Sequence, residues 1–346
     1  MNVLTSKKGD DRLNVANAIY LFDKYRDYNN SSGGLTLNKI VYLSEHIDPA
    51  AVELLKKENY TLVSDFDQIE QIDAIILRNI TITREMMQRA AKLKVIGKHG
   101  VGCNTIDLAA AKELGKSVFY TPTTNIHSVA EMIVGLILNL YRHINEANAG
   151  VRANEYKTIA PKSLIGNEIA GKTVALIGIG NVNKKVAVIL KNGFGVKLKG
   201  YDPYVPSAVA DQLDIQKYTT LEETIADADI ISVSVPFVEA TKNLISGKLF
   251  DCFKPSAILI NTARGGIVNE DDLFDALAGK KLKAAACDVF LLEPPTTENK
   301  LLTLSNFCAT PHIGGSTEEA LYRTGMEVVQ ETISVLKGNV PKHPAV

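Results

Sequence analysis

The chain has 346 residues, of which 46% are hydrophobic and 22% are charged, and its formal net charge is −1. This length is enough for two domains that each bury a core. The balanced charge gives no reason to expect nucleic acid as a partner, because nucleic-acid binding depends on clustered basic residues.

Neither a membrane span nor a secreted protein is indicated by the sequence. The longest apolar stretch, residues 132–140, is too short to cross a bilayer. The N-terminus lacks the pattern of a secretory signal. The four cysteines are far apart and form no C-x-x-C pair. We therefore expect a reduced, cytoplasmic protein that does not associate with a membrane.

Residues 1–36 are predicted to be an N-terminal extension. Residues 29–34, Asn-Asn-Ser-Ser-Gly-Gly, have the composition of a flexible linker. A mobile tail is the simpler interpretation of this extension. A docked helix that carries Leu13, Ile19 and Phe22 is the alternative.

Short β-rich runs alternate with helical stretches from residue 40 onwards. The predicted strands of this first series are residues 40–43, 60–63, 74–77, 95–97 and 117–119, with helices at 49–57 and 107–114. The alternation predicts a parallel sheet with helices on its faces. The sequence Ser128-Val129-Ala130-Glu131 is typical of a capping box, and it predicts the start of a long helix through residues 132–140.

A second alternating series follows this helix. Its six predicted strands are residues 173–177, 196–201, 230–235, 257–261, 284–288 and 307–309. Six strands with intervening helices match the doubly wound dinucleotide-binding arrangement. Residues 316–336 predict one more long helix, which we expect to return to the first domain.

A glycine turn follows the first strand of the second series. Gly178 allows a tight turn, and Gly180 allows the backbone to approach a pyrophosphate at a helix N-terminus, where Asn181 and Val182 contribute amides. Asp202 ends the next strand at the spacing expected for an acid that binds the adenosine ribose, which favours NAD over NADP.

The third glycine of this fingerprint is replaced by Asn183. Glycine normally allows the helix and the strand to pack closely at this position. Asn183 needs extra room, so the helix is expected to lie farther from the sheet. A glycine turn without a ligand is the alternative interpretation of the motif.

Three ionisable residues each follow a predicted strand of the second series: Arg264, Glu293 and His312. Each alone has an ordinary explanation, as a surface charge or as a histidine bonded in a core. Because residues beyond the carboxyl ends of parallel strands converge on the ligand crevice, their joint placement favours the reduction of a carbonyl group.

The chain resembles the D-isomer-specific 2-hydroxyacid dehydrogenase family from about residue 40 to its end. Residues 97–102, 261–266, 288–295 and 310–315 carry the resemblance most specifically. It implies an α/β fold of two doubly wound parallel-sheet domains, with a Rossmann NAD domain (128–315) inserted in a flavodoxin-like substrate domain (37–127 and 316–346). It also implies a homodimer, and NAD as the cofactor.

The same resemblance implies the roles of individual residues. Arg264 binds the substrate, and His312 is the acid and base with Glu293 as its partner. Three backbone amides are implied to bind the substrate carboxylate, those of Gly100, Val101 and Gly102. Asn125 is expected to shape the cleft, and Asp288 to lie near the nicotinamide carboxamide. The remaining cofactor-binding residues implied are Pro236, Thr241, Ala263 and Gly314.

Other positions in the first domain are expected to contact the substrate. Lys98 precedes the carboxylate-binding amides and could reach the cleft. Arg78 ends a predicted strand, where it could bind a distal anion, which favours 3-phosphoglycerate or a related acid. An ordinary charge at the end of a strand is the alternative for Arg78. His99 and Cys103 lack further ligands nearby, so no metal site is predicted.

The expected activity is the NAD-dependent interconversion of a small 2-hydroxy acid and its 2-oxo acid. One alternative is a non-catalytic NAD sensor that resembles the C-terminal binding corepressors, which share this fold and the same three residues. Another is an enzyme of the same fold that oxidises formate or phosphite. A turnover assay discriminates between the enzyme and the sensor.

Overall fold

The first sheet is formed by five short parallel strands. The computed structural model describes residues 38–346, so the predicted extension, residues 1–36, and residue 37 lie outside the described residues. The strands are β1 (Ile40–Leu43), β2 (Thr61–Val63), β3 (Ile72–Leu77), β4 (Val95–Lys98) and β5 (Ser117–Tyr120). All pairs are parallel, and the order β2-β1-β3-β4-β5 is that of flavodoxin-like sheets.

The second sheet has seven parallel strands. They are β6 (Thr173–Ile177), β7 (Lys197–Tyr201), β8 (Ile215–Tyr218), β9 (Ile230–Val233), β10 (Ile258–Asn261), β11 (Ala284–Cys287) and β12 (Phe307–Ala309). Their order is β12-β11-β10-β9-β6-β7-β8, with the direction of winding reversed between β6 and β9. This is the Rossmann arrangement, so the predicted α/β class with two doubly wound parallel sheets is confirmed.

The prediction of six strands in the second sheet is wrong, because β8 is a seventh. Strand β8 lies at the edge of the sheet, where it pairs with β7. Of its four residues, Ile215 alone is buried. An edge strand with one buried side chain lacks the apolar run that marks a parallel strand covered on both faces.

Helices cover the faces of both sheets in the described chain. They are α1 (Pro49–Lys57), α2 (Arg84–Arg89), α3 (Leu108–Glu113), α4 (Ile126–Arg142), α5 (Ile144–Arg152), α6 (Asn181–Phe194), α7 (Ser207–Asp211), α8 (Leu221–Ile225), α9 (Glu270–Ala278) and α10 (Glu318–Leu336). Among the helices of residues 38–346, none combines the length and the apolar character that crossing a membrane requires.

Each sheet has an apolar core on both of its faces. In β3, Ile75 and Ile76 pack into two different clusters of buried side chains. In β6, Leu176 and Ile177 are divided in the same way. Successive side chains of a strand point to opposite faces, so covering both faces requires nearly continuous apolar strands.

Helix α4 begins earlier than the sequence predicts. Asn125 is its N-cap and Ile126 its first residue, so the prediction of a capping box at Ser128 is wrong. The Ser128 hydroxyl instead forms a 2.8 Å hydrogen bond with the hydroxyl of Thr317. Thr317 caps α10 by accepting from the amide of Ala320. One pair of hydroxyls therefore joins the first turns of the two long helices.

The two long helices pack on different sheets. Helix α10 packs against α1, β3 and β4, whereas α4 packs against α6, β10 and β11. A second hydroxyl pair, Thr124 with Thr324, joins the end of the first sheet's segment to α10 at 2.7 Å. Contacts join residues 40–346 into one compact unit, and the chain passes between the sheets near residues 121–125 and 310–317.

Candidate active site

Loops that follow strands of both sheets meet at one place. Arg264 follows β10, and its guanidinium lies over Gly102, which follows β4. A Cβ atom added to Gly102 would collide with Nη2 of Arg264 and would lie 2.9 Å from Nε. Glycine at position 102 therefore lets the arginine cross from the second sheet to the loop of the first.

Arg264 is held in place by its own loop. Its Nη1 donates to the carbonyl of Ala263, while its carbonyl accepts from the side-chain amide of Asn261. Burial lowers the pKa of the Arg264 guanidinium, and the nearby Glu293 carboxylate opposes that change. The guanidinium remains a fixed positive charge at neutral pH, because its ordinary pKa lies so far above neutrality.

Glu293 and His312 are hydrogen-bonded to each other. The distance between Nδ1 of His312 and Oε2 of Glu293 is 2.8 Å. Oε1 of Glu293 accepts from the amide of Phe290 at 3.0 Å. Burial raises the pKa of Glu293, but the bonds from His312 and Phe290 and the charges of His312 and Arg264 outweigh it, so the net shift is downward. An ionised carboxylate thus fixes Nδ1 and leaves Nε2 as the nitrogen that can meet a ligand.

Asp288 organises the loop that carries His312. Its Oδ1 accepts from the Thr310 hydroxyl at 2.6 Å and from the Ile313 amide at 2.8 Å, and its Oδ2 accepts from the Gly314 amide at 2.8 Å. His312 has a φ of 55°, in the left-handed region. A buried carboxylate therefore stabilises a backbone turn that most residues avoid. Oδ2 keeps one lone pair for a further donor.

The glycine turn after β6 has the geometry of a dinucleotide loop. Gly178 has a φ of 85°, and a Cβ atom there would lie 2.5 Å from the carbonyl oxygen of Ser234. A Cβ atom at Gly180 would meet nothing within 4 Å. Within residues 38–346, the amides of Asn181 and Val182, in the first turn of α6, donate to no protein group. These open amides fit a pyrophosphate at the helix N-terminus.

Asp202 lies beside the glycine turn. Its Oδ2 accepts from the Ile179 amide at 2.9 Å, and its Oδ1 accepts from the amides of Tyr204 and Val205. The carboxylate thus fixes the turn with three of its acceptor sites and retains one for another donor. A ribose-binding role is compatible with these bonds, because a carboxylate offers about four acceptor sites.

The loop after β4 offers two open amides instead of three. The Gly100 amide donates to the Thr121 hydroxyl at 2.8 Å, so it already has a protein partner, and its binding of a substrate carboxylate stays a prediction. Among the described residues, the amides of Val101 and Gly102 donate to no protein group. Asn125 lies beside the loop after β12, with Nδ2 2.9 Å from a Cβ atom added to Gly315.

Lys98 and His99 are buried at the end of β4, and each is 7% exposed. Burial lowers the pKa of Lys98 to about 8, and Arg264 acts in the same direction. Burial and then the charge of Arg78 lower the pKa of His99 to about 4. Lys98 is therefore a cation that loses its proton readily, whereas His99 is neutral at neutral pH.

Arg78 bridges the end of β3 and the start of α10. Its amide donates to Oε2 of Glu45 at 2.8 Å, and its Nη2 lies 3.4 Å from the Ser316 hydroxyl. Glu45 also accepts from the Asn79 amide at 2.6 Å. Burial lowers the pKa of Lys98, and the charge of Glu45 opposes that change.

Four further residues implied at the cofactor lie in three loops after strands of the second sheet. The Thr241 hydroxyl donates to the Pro236 carbonyl at 2.6 Å, so these two close one loop. The Ala263 amide donates to Oδ1 of Asn261. The Gly314 amide donates to Asp288. Pro236 and Thr241 thus have a structural contact with each other.

Glu45, Thr121 and Thr310 also lie in loops after strands and were not predicted from the sequence. All three lie within two residues of the end of a parallel strand, β1, β5 and β12 respectively. The rule that selected Arg264, Glu293 and His312 applies to them as well. These three residues could have been found by considering the polar residues that follow every strand, and not those after β10, β11 and β12 alone.

Comparisons with known proteins agree with this geometry. Residues 134–314 match the family described as D-isomer specific 2-hydroxyacid dehydrogenase, NAD binding domain. A D-3-phosphoglycerate dehydrogenase of Methanocaldococcus jannaschii is 38% identical over 278 residues, which is 80% of this chain and 52% of that protein. A hydroxypyruvate reductase of Thermotoga maritima is 36% identical over 307 residues, which is 86% of this chain and 98% of that protein.

A solved structure is similar over most of the chain. The TT0316 protein of Thermus thermophilus has a TM-score of 0.81 and 28% sequence identity, with 89% of this chain and all of that chain covered. By contrast, this chain spans about half the length of the phosphoglycerate dehydrogenase relatives that it matches.

Proposed function

The chain belongs to the D-isomer specific 2-hydroxyacid dehydrogenase family, and on that premise we propose that it interconverts a small D-2-hydroxy acid and its 2-oxo acid with NAD. One observation carries the proposal. The 2.8 Å bond between His312 and Glu293 joins the loops after β12 and β11, and Arg264, whose charge helps to lower the pKa of Glu293, lies in the loop after β10. An acid, its partner and an anion-binding cation are the groups that carbonyl reduction requires.

His312 is proposed to move the proton. Glu293 holds Nδ1, so Nε2 faces the substrate oxygen; in reduction it donates a proton there, and in oxidation it accepts one. When bound, the nicotinamide ring supplies or accepts the hydride at the substrate C2. The ionised Glu293 stabilises the positive charge that the imidazole ring carries before it donates.

Arg264 and the loop after β4 are proposed to orient the substrate. A guanidinium suits a bidentate grip on a carboxylate or carbonyl oxygen. Gly102 lies against this guanidinium, and the open amides of Val101 and Gly102 can bind the other carboxylate oxygen. Asn125 and Gly315 lie against each other, and Asn125 is proposed to shape the substrate cleft.

The second sheet is proposed to hold NAD along its carboxyl edge. The supporting observations are the space above Gly180, the open amides of Asn181 and Val182, and the carboxylate of Asp202. A carboxylate accepts from ribose hydroxyls and repels a 2′-phosphate, so we propose NAD over NADP. The other residues proposed to face the cofactor are Gly178, Pro236, Thr241, Ala263, Asp288 and Gly314.

The substrate is proposed to carry a second anionic group, as 3-phosphoglycerate does. Arg78 and Lys98 lie on the first-sheet side of the cleft, and Glu45 is the carboxylate that acts on Lys98 there. Two cations near one acid favour a ligand with a distal negative charge. The hydroxypyruvate reductase relative supports the alternative of a substrate without a phosphate.

The domain division and the assembly are part of the proposal. Residues 37–127 and 316–346 form the substrate domain, and residues 128–315 form the NAD domain. A homodimer is supported by apolar side chains exposed on one stretch of the chain, namely Ile144, Val151, Ile159 and Ile165. Light scattering should give the mass of two copies, and a monomer would contradict the proposed homodimer.

The four free cysteines support a cytoplasmic location.

A panel assay tests the function. The oxidation of NADH is measured against 2-oxo acids with and without a distal phosphate, together with NADH binding. We expect turnover, fastest for a phosphorylated acid. Turnover of unphosphorylated acids alone would overturn the proposal that the substrate carries a second anionic group. NADH binding without any turnover would favour an NAD sensor.

A further inference from the structure

The side chain of Asn183 is fully buried beneath the glycine turn, with 0% exposed. Its Nδ2 lies 2.8 Å from the carbonyl oxygen of Gly178, 3.2 Å from that of Ile177 and 3.3 Å from that of Ser232. The side-chain amide of Asn183 thus lies between the helix and the sheet, where it bonds to the backbone of both β6 and β9.

Ser232 completes the arrangement from the opposite side. Its hydroxyl donates to Oδ1 of Asn183 at 2.8 Å, and the residue is also 0% exposed. Ser232 lies in β9, where it pairs with Leu176 of β6 and Ile260 of β10. The side-chain pair therefore joins the first turn of α6 to the two strands between which the strand order reverses.

The glycine turn is also fixed by hydrogen bonds on its other side. The Gly178 amide donates to the Tyr201 carbonyl at 2.8 Å, and the Ile179 amide donates to Asp202. These bonds fix the side of the turn that faces β7. Asn183 fixes the side that faces β9, while the amides of Asn181 and Val182 remain open above it.

We propose that Asn183 and Ser232 are positioning residues for the cofactor, which set the position of the glycine turn and of the first amides of α6 against the sheet. The inference rests on the proposed NAD site. Amides that are already fixed bind a pyrophosphate without a further loss of conformational entropy. Without Asn183, the Ser232 hydroxyl is left buried without its acceptor, and the turn loses its tie to β9.

The affinity of the 346-residue chain for ligands that carry a pyrophosphate tests this proposal. NADH and ADP-ribose are titrated into the parent and into the variants Asn183→Gly, Ser232→Ala and the double variant. Both ligands contain the pyrophosphate, and only NADH contains the nicotinamide. Asn306→Gly is the matched control, because the Asn306 amide also donates to backbone carbonyls, those of Leu277 and Lys283, at the far edge of the same sheet.

We expect Asn183→Gly to lower the affinity for both ligands about tenfold, which corresponds to the loss of one to two ordinary hydrogen bonds. Ser232→Ala should lower it less, and the double variant should be no worse than Asn183→Gly, because the pair acts as a unit. The KM for NADH should rise while kcat at saturating NADH stays within about twofold. The Asn306→Gly control should bind both ligands as the parent does.

Unchanged affinity for both ligands in folded Asn183→Gly and Ser232→Ala would overturn the proposal, even if thermal stability falls. Should Asn183→Gly fail to fold, Ser232→Ala decides the question alone. Equal losses in the Asn306→Gly control would show a general loss of stability and would also overturn it. A parent chain that binds neither ligand would instead contradict the proposed cofactor site on which the inference rests.

Discussion

The substitution Glu293→Gln isolates the charge that supports His312. Gln can keep the bond that Oε1 of Glu293 accepts from the Phe290 amide, so the loop retains its shape. What it removes is the negative charge 2.8 Å from Nδ1 of His312. The ring must then carry its proton without an ionised partner, and reduction requires that proton.

The expected loss of activity follows from the distance between His312 and Glu293 and from their exposure to solvent. Two unit charges about 4 Å apart interact by about 4 kcal/mol at an effective dielectric constant of about 20, and by about 1 kcal/mol in water. The side chains of His312 and Glu293 are 42% and 35% exposed, so solvent screening favours the lower part of this range, about 1–2 kcal/mol. We therefore expect kcat for 2-oxo acid reduction at neutral pH to fall about five- to thirtyfold.

The pH profile is the assay that separates this effect from a distortion of the loop. Against the effect of burial, the bonds from His312 and Phe290 hold the pKa of Glu293 below its usual value. The parent should therefore lose reductive activity only at acid pH, and the part of that loss that comes from protonating Glu293 should be absent in Glu293→Gln. Glu298→Gln, at an exposed carboxylate of the same loop, is the matched control and should leave the profile unchanged. A Glu293→Gln enzyme with kcat within about twofold of the parent and an unmoved profile would refute the reasoning.

Three other substitutions test substrate binding and the loop that carries His312. Gly102→Ala places a Cβ atom against Arg264, so the KM for the 2-oxo acid should rise about tenfold or more, whereas Gly135→Ala, where a Cβ atom meets nothing within 4 Å, should leave it unchanged. Asp288→Asn puts an amide among three donors at a site 1% exposed, and thermal unfolding should show a loss of about 1–3 kcal/mol; unchanged stability would contradict the loop's dependence on this carboxylate. Because burial lowers the pKa of Lys98 to about 8, its ammonium is present below that pH and lost above it. The KM for a phosphorylated 2-oxo acid should thus rise above pH 8, and the same rise in Lys98→Met would show that another group causes it.

Much of the fold could be predicted from the sequence, because parallel strands buried on both faces are nearly continuous apolar runs. Strands β6 and β12 begin and end at the predicted residues. Strand β8 could not be found in this way, since Ile215 is its one buried residue. The start of α4 was misplaced because the partner of Ser128 is Thr317, 189 residues away in the sequence.

The candidate site shows the same division between local and distant information. Arg264, Glu293 and His312 follow strands, and the topology of the sheet alone brings such residues to one edge. The loss of the Gly100 amide to Thr121, however, depends on a hydrogen bond between two loops. The fit of Asn183 depends on Ser232, 49 residues farther along the chain, which accommodates an amide where glycine is usual. No local pattern encodes either pairing.

The most direct test of the central claim is turnover by His312→Ala, measured together with its affinity for NADH. If Nε2 of His312 transfers the proton, kcat should fall by about two to four orders of magnitude, while NADH binds as tightly as to the parent. A variant that binds NADH and reduces the same 2-oxo acid within a few-fold of the parent rate would contradict the assignment of His312 as the acid and base.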